Sequence, residues 1–494
     1  MQPLACCLII REFNEGSADL AEPSFLVGCR SNIEEMQIDG DLVRFDQRTG
    51  GSRKMYLHGT SRVNELGNLE IGGCDATQLA ATYGTPLYVY DEALIRSKCR
   101  AYVDAFRQSG FAFQVAYASK AFCTMAMCKL VEEEGLSLDV VSGGELYTAL
   151  QAGFPVERIH FHGNNKSLEE INMALDAKIG CFVVDNFYEL YTLDELARER
   201  DEKISVLLRV TPGVEAHTHE YISTGQVDSK FGFDVQNGQA IEAIRFSHES
   251  SHLHLLGVHS HIGSQIFEAE GFIVAIKRLI ELLGEAKEKH GFISEVLNVG
   301  GGFGIRYVES DTPLAAATYI KAITDTVREE LTARQLPLPE LWIEPGRSIV
   351  GDAGTTLYKI GSQKDIPNVR KYVAVDGGMT DNLRPALYQA EYEAAIANKM
   401  NEPANETVSI AGKCCESGDM LIWDVQLAKA EAGDILAVTS TGAYGYSMSN
   451  NYNRIARPAV VFVKDGEAEL VVQRESFKDV VSHDLLPQRA QLQR

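Results

Sequence analysis

No apolar run in these 494 residues approaches the roughly 18 that a membrane-spanning helix needs, so no membrane partner is expected. Basic residues are also scarce: 46 Lys and Arg stand against 69 Asp and Glu, for a net charge of −23. Nucleic acid and anionic membranes reward basic patches, so neither is expected as a main partner, and the acidic excess favours solubility. The ten cysteines include no Cys-x-x-Cys pair, which argues against a structural zinc site and a disulfide scaffold and suits a reduced, cytoplasmic protein. No Lys or Arg precedes the apolar residues 3–10, and Arg11 and Glu12 end that run, so neither a secretory signal nor a lipobox at Leu4-Ala5-Cys6 is expected. Glu12, Glu15, Asp19 and Glu22 come too early for an organelle transit peptide. Residues 1–54 read as an extension of unknown role, expected to be disordered or an artefact of start-codon choice, with Met55 a natural start.

What the chain does have is organised around residues 114–120, Gln-Val-Ala-Tyr-Ala-Ser-Lys. Small and β-favouring residues make this a buried strand ending on Lys120, just before a helical run at 121–134. A surface lysine would be ordinary, but a lysine at the C-terminal edge of a barrel strand points into the mouth where such folds keep their chemistry. Apolar runs at 114–119, 136–141, 158–162, 181–185, 204–210, 255–261, 296–299 and 341–344 give eight strands, most followed by amphipathic helices. Two helix starts, Ser142-Gly-Gly-Glu145 and Ser167-Leu-Glu-Glu170, read as capping boxes. Eight strands alternating with helices imply an α/β fold, a closed parallel (β/α)8 barrel over residues 91–350.

Beyond Gly351 the rhythm changes to strands at 355–360, 371–375, 407–411, 420–423, 434–438 and 459–463, with one helical pattern at 388–398. The last strand turns through Lys464-Asp465-Gly466 into 467–472, a hairpin signal. Residues 351–494 are therefore expected to form an all-β, barrel-like domain, joined by the N-terminal segment 55–90.

The seventh strand ends in Gly300-Gly301-Gly302, which can turn backbone N–H groups onto an anion or simply make a tight corner. Ile305 spoils the dinucleotide pattern Gly-x-Gly-x-x-Gly. The eighth strand ends in Glu344-Pro345-Gly346-Arg347. A carboxylate at the same rim as Lys120, with an arginine three residues on, suits a cofactor with a basic ring nitrogen and a phosphate, namely pyridoxal phosphate. Four His-x-His pairs (160/162, 217/219, 252/254, 259/261) compete with this reading, since alternate strand residues share a face and can clamp a metal. The missing carboxylate partner pattern and Lys120 count against metal, and none is expected. His261, followed by Ser264, could instead lie flat on a ring with the hydroxyl on a phosphate. In the β region, Arg384, Tyr388, Cys415, Glu416 and Tyr444 recur at loop tips and suit a substrate with ammonium and carboxylate groups.

With these motifs in place, about residues 55–485 resemble diaminopimelate decarboxylases, of the alanine-racemase-like class that includes ornithine and arginine decarboxylases. The stretches that carry the resemblance include Tyr117-Ala-Ser-Lys120, His160-Phe-His-Gly-Asn-Asn-Lys166, His259-Ser-His-Ile-Gly-Ser264, Glu344-Pro-Gly-Arg347, Cys415-Glu-Ser-Gly-Asp419 and Gly442-Ala-Tyr444. The resemblance implies decarboxylation of meso-2,6-diaminopimelate to L-lysine and CO2, the last step of lysine biosynthesis. It implies that Lys120 carries the cofactor and that His261 stacks on its ring. Ser264, Gly300, Gly301 and Gly302 would serve the phosphate, Glu344 the ring nitrogen, and Pro345, Gly346, Arg347 and Tyr444 would add cofactor contacts. Arg347, Arg384, Tyr388, Glu416 and Tyr444 would bind substrate, and Cys415 would donate a proton. The implied assembly is a homodimer in which the Cys415-Glu416 loop enters the partner's site. Rival readings are a sister decarboxylase of ornithine, arginine or a D-amino acid, a metal-dependent barrel hydrolase, and a non-catalytic regulatory homologue.

Overall fold

The computed structural model describes residues 55–214 and 229–487, and three strands within the 1–54 extension. Those strands, Val27–Arg30, Ile33–Ile38 and Asp41–Asp46, form an antiparallel sheet in a separate unit, Met1–Arg53.

In the large unit all eight expected barrel strands form: Phe113–Ala118, Ser137–Val140, Ile159–Phe161, Cys181–Val184, Ile204–Thr211, Leu253–His259, Val296–Asn298 and Glu340–Ile343. They pair in parallel in chain order, and the eighth returns to the first through Leu341 opposite Phe113, which closes the barrel. Strands buried on both faces read as continuous apolar runs, which is why each was visible. The outer helices bury one stripe; in Glu270–His290, Phe272, Ile276, Leu279, Ile280 and Leu283 all face the core.

The first strand stops at Ala118, two residues before the lysine, and Ser119–Ala121 make a 3-10 turn that leads to the helix Met125–Glu133. Glu145 fixes this turn. Its carboxylate accepts from Ser119 Oγ (2.7 Å) and Val141 N (2.8 Å) instead of closing the expected capping box on Ser142. The Ser167–Glu170 box forms in full.

A second, mostly β region is built on the long strand Gly354–Ile366. Leu87–Asp91, from before the barrel, lies antiparallel to it and parallel to Ala459–Lys464, so the N-terminal segment does enter the C-terminal sheet. Asp465 and Gly466 adopt positive φ (53° and 84°) in the expected hairpin turn. The expected helix at 388–398 does not form. A five-residue helix, Arg384–Tyr388, ends where Gln389 turns left-handed, and Ala394–Ile396 pairs with Ile435–Val438 as a strand.

Candidate active site

A cavity of about 990 Å³ opens at the C-terminal ends of the barrel strands, and Lys120, His261, Ser264, Gly302, Glu344, Gly346, Arg347, Arg384, Tyr388 and Tyr444 all line it. The first and eighth strands are hydrogen-bonded neighbours, so the lysine and the carboxylate enter the same space. Gly300, Gly301 and Pro345 do not line it. Cys415 and Glu416 are exposed and do not line the cavity of their own chain.

The glycine triplet is demanded by the corner as well as by any anion. A Cβ on Gly301 would stand 1.9 Å from the Glu344 carbonyl oxygen, and one on Gly302 (φ 103°) 2.2 Å from that of Gly263. Only bare backbone lets the sixth, seventh and eighth strand ends meet this closely.

Glu344 is buried within a ring of donors. Oε1 accepts from Asn298 Nδ2 (2.6 Å) and lies 3.3 Å from His162 Nε2, while His259 Nε2 is 3.0 Å from Oε2. Burial alone would raise this carboxyl, but His259 and His162 outweigh it and hold it well below the usual range. His162 stands between two carboxylates, with Asp139 Oδ1 3.5 Å away; burial opposes its charge, yet Glu344 and Asp139 push its pKa up to about 9. Burial keeps His259 below its ordinary value. An ionised carboxylate offers about four lone-pair positions, and the hydrogen bonds from Asn298 and His259 leave one on Oε2 for a ring N–H.

His261 accepts a hydrogen bond from Gly301 N at Nδ1 (3.4 Å), and burial, with Lys120 and Arg209 nearby, depresses it well below its ordinary value. A neutral imidazole is thus presented. Ser264 Oγ accepts from Arg347 Nε and Nη2 (3.2 and 2.9 Å).

Four of the polar residues at the site went unassigned in the sequence reading: Asp139, Arg209, Asn298 and Tyr307. His162 and His259 were noted as halves of candidate metal clamps and within stretches that carry the family resemblance, without a role of their own. The donor atoms of His162, His259 and Glu344 do lie within 4.8 Å of one another, but they come from three strands, and no His-x-His pair acts as a unit here. His160 instead stacks on Trp342 (4.4 Å, 7°), and His217 and His219 lie outside the described residues. Asking which polar side chains stand in the last three residues of each barrel strand would have found Asp139, Arg209, His259 and Asn298.

The residues fit pyridoxal phosphate: an amine for its aldehyde, an ionised carboxylate with an open position for its ring nitrogen, a neutral imidazole for its face, and a serine beside the Gly302 corner for its phosphate. Barrel and site together are those of a pyridoxal-dependent decarboxylase, and residues 92–351 match the family model described as pyridoxal-dependent decarboxylase, pyridoxal binding domain. Diaminopimelate decarboxylase of Bacillus subtilis (strain 168) is 64% identical over 431 residues, covering 87% of this chain and 98% of that protein. That of Bacillus methanolicus is 63% identical over 424 residues, covering 86% and 98%. The crystal structure of diaminopimelate decarboxylase from M. jannaschii in co-complex with L-lysine superposes with a TM-score of 0.81 at 39% identity, covering 87% of this chain and 98% of that one. The chain belongs to the diaminopimelate decarboxylase family.

Proposed function

We infer that this chain decarboxylates meso-2,6-diaminopimelate to L-lysine and CO2 with pyridoxal phosphate as its cofactor. One observation carries the reading beyond the likeness to relatives. The cavity that holds Lys120 and Glu344 also holds two buried guanidinium groups, Arg347 and Arg384, neither of which has a carboxylate partner among the described residues. Buried cations left unpaired call for an anionic ligand, and diaminopimelate brings a second carboxylate that ornithine and lysine lack.

Bound pyridoxal phosphate supplies an electron sink for the pair released when the Cα–carboxylate bond breaks. Lys120 anchors the cofactor at its aldehyde and yields that position to the substrate amine. Glu344, kept anionic by its imidazole neighbours, holds a proton on the ring nitrogen. His261 covers one ring face and excludes water from it. Ser264, Gly302 and Tyr444 hold the phosphate at the corner that Gly300 and Gly301 make possible, with Pro345 and Gly346 shaping the wall beside it. Arg347, Arg384 and Tyr388 read the distal amino-acid centre, and Glu416 of a second copy accepts its ammonium group. Cys415, also from that copy, returns a proton to Cα.

The homodimer is supported by two features. The Cys415-Glu416 loop lies outside its own cavity. Met125, Val141, Tyr147, Leu168, Tyr188 and Tyr191 are exposed on the first four βα units, near the helix N-termini that share the cavity's end of the barrel. A cytoplasmic location suits the seven cysteines from Cys74 to Cys415, all free thiols; among the described residues no helix is long and apolar enough to cross a membrane.

The test offers meso-diaminopimelate, ornithine, arginine and lysine in parallel to cofactor-loaded protein and measures CO2. Release from diaminopimelate alone is expected; equal or faster release from ornithine would move the reading to a sister decarboxylase. Lys120→Ala is expected to slow turnover by about a thousandfold or more and to abolish borohydride trapping of the cofactor.

A further inference from the structure

Two like charges do not hold a fixed separation unaided, and the side chain set between Arg347 and Arg384 is Tyr307. Its hydroxyl accepts from Arg347 Nη1 at 2.5 Å, and its ring lies 4.9 Å from the centre of the Arg384 guanidinium. Tyr392 completes the clamp: its hydroxyl accepts from Arg384 Nη1 at 2.7 Å, and its ring meets that of Tyr307 edge-on at 5.4 Å. One aromatic ring therefore touches both cations and keeps them apart, by cation–π contact on one side and a hydrogen bond on the other.

The backbone at Tyr307 is pinned from both directions. Two residues earlier, the Gln265 side chain grips Ile305, donating to its carbonyl (2.7 Å) and accepting from its N–H (3.2 Å). On the other side, Asp311 Oδ2 accepts from the N–H groups of Tyr307 and Val308 (2.9 and 3.1 Å). Arg347 is bound at its other edge to Ser264, on the side proposed for the phosphate. The span from the phosphate side to Arg384 thus passes through a single buried ring.

We propose that Tyr307 is a positioning residue that sets the distance between the Arg347 and Arg384 guanidiniums and so selects the chain length of the diamino dicarboxylate. The proposal rests on the reading of these arginines as the partners of the distal carboxylate. A methylene more or fewer would carry that carboxylate away from a guanidinium that cannot follow it. Like other one-methylene choices, this is expected to discriminate by about 10- to 200-fold.

The experiment compares meso-diaminopimelate with the α,α′-diamino dicarboxylates one methylene shorter and one longer, on the cofactor-loaded enzyme and its Tyr307→Leu and Tyr307→Phe variants. Tyr307→Leu is expected to lower kcat/KM for diaminopimelate by about a hundredfold, mostly through KM, and to shrink the preference over the homologues to about tenfold or less. Tyr307→Phe keeps the spacer but frees Arg347, and is expected to lose about tenfold in kcat/KM with the chain-length preference partly retained. Cofactor affinity, read by absorbance titration, should change by less than about threefold in both, since neither variant removes a proposed cofactor contact. Wild-type kinetics in Tyr307→Phe, an intact chain-length preference in Tyr307→Leu, or loss of cofactor in step with activity would overturn the proposal. Tyr307→Phe conserves volume and decides the matter even where the leucine variant does not fold. A wild-type enzyme that turns over none of the three acids would instead refute the substrate reading itself.

Discussion

At the residue scale the charge state of the site is set by a few buried groups, and His162 is the one whose consequence for pH can be worked through. In the fold its imidazole keeps a proton up to about pH 9, because Glu344 and Asp139 outweigh the cost of burial, whereas in the unfolded chain that proton leaves near 6.5. The folded state therefore binds one proton more than the unfolded state between those values, and stability falls as pH rises across that window. The contribution is full below 6.5 and gone above about 9, amounting to at most about 3 kcal/mol. His259, held neutral by burial, adds no slope in the same interval, and Glu344, with its depressed carboxyl, matters only at acid pH. Urea midpoints of the cofactor-free protein should decline from pH 6.5 to 9, and His162→Asn should flatten that decline; a parallel decline in the variant would place the proton elsewhere. Lys120 and Glu344 were legible in the sequence because each closely follows the end of a strand recognisable from its apolar run. The Glu344 surroundings were not, since Asp139, His162, His259 and Asn298 come from four strands far apart in the chain and only barrel closure brings them together.

At the scale of elements, a buried ion pair straps two of the loops at the barrel mouth. Lys166 Nζ donates to the carbonyls of Gly163 (2.9 Å) and Val183 (3.0 Å) and to Glu189 Oε1 (2.6 Å), while Glu189 Oε2 accepts from Asp185 N (3.0 Å). This fastens the loop after the third strand, whose Asn164 lines the cavity, to the end of the fourth strand and the helix Phe187–Arg200. Lys166→Met would leave Glu189 buried without its counter-ion and should destabilise the fold by about 3–5 kcal/mol. Lys166→Met with Glu189→Leu should recover much of that loss in urea unfolding; a double variant no more stable than the single one would mean that the backbone contacts of Lys166, not the pair, hold the loops. The barrel strands were legible because packing and local preference agree in them. The 388–398 stretch misled because its alanines and glutamates favour a helix, while Ala394, Ala395 and Ile396 find backbone partners in Ile435–Val438 that no local pattern announces. Of the two readings of the glycine triplet the structure carries the corner, which demands bare backbone; Gly300 N donates to Asn298 Oδ1 and Gly301 N to His261 Nδ1.

At the scale of the whole molecule, the two halves of the proposed chemistry sit in different places on one chain. Lys120 lines the cavity, whereas Cys415 is exposed on a loop anchored by its own N–H to Asn453 Oδ1 (2.8 Å). That loop is not adrift: Asp419 at its base accepts from Met379 N (2.6 Å) and Cys414 N (2.7 Å), tying it to the segment that leads into Arg384. A fixed, exposed loop bearing a proton donor and a carboxylate suits delivery to a second copy. Lys120→Ala and Cys415→Ala proteins should each lose activity as homodimers, Cys415→Ala by about a hundredfold or more. When the two are unfolded together, mixed equally and refolded, about half the dimers would pair unlike chains, and each such dimer contains one site with both Lys120 and Cys415 intact. Activity should then return to about a quarter of wild type, and the refolded mixture should run as a dimer. A mixture that stays as inactive as its parents, while still dimeric, would mean that Cys415 reaches the cavity of its own chain, and that the exposed apolar side chains of the first four βα units meet something other than this loop's owner.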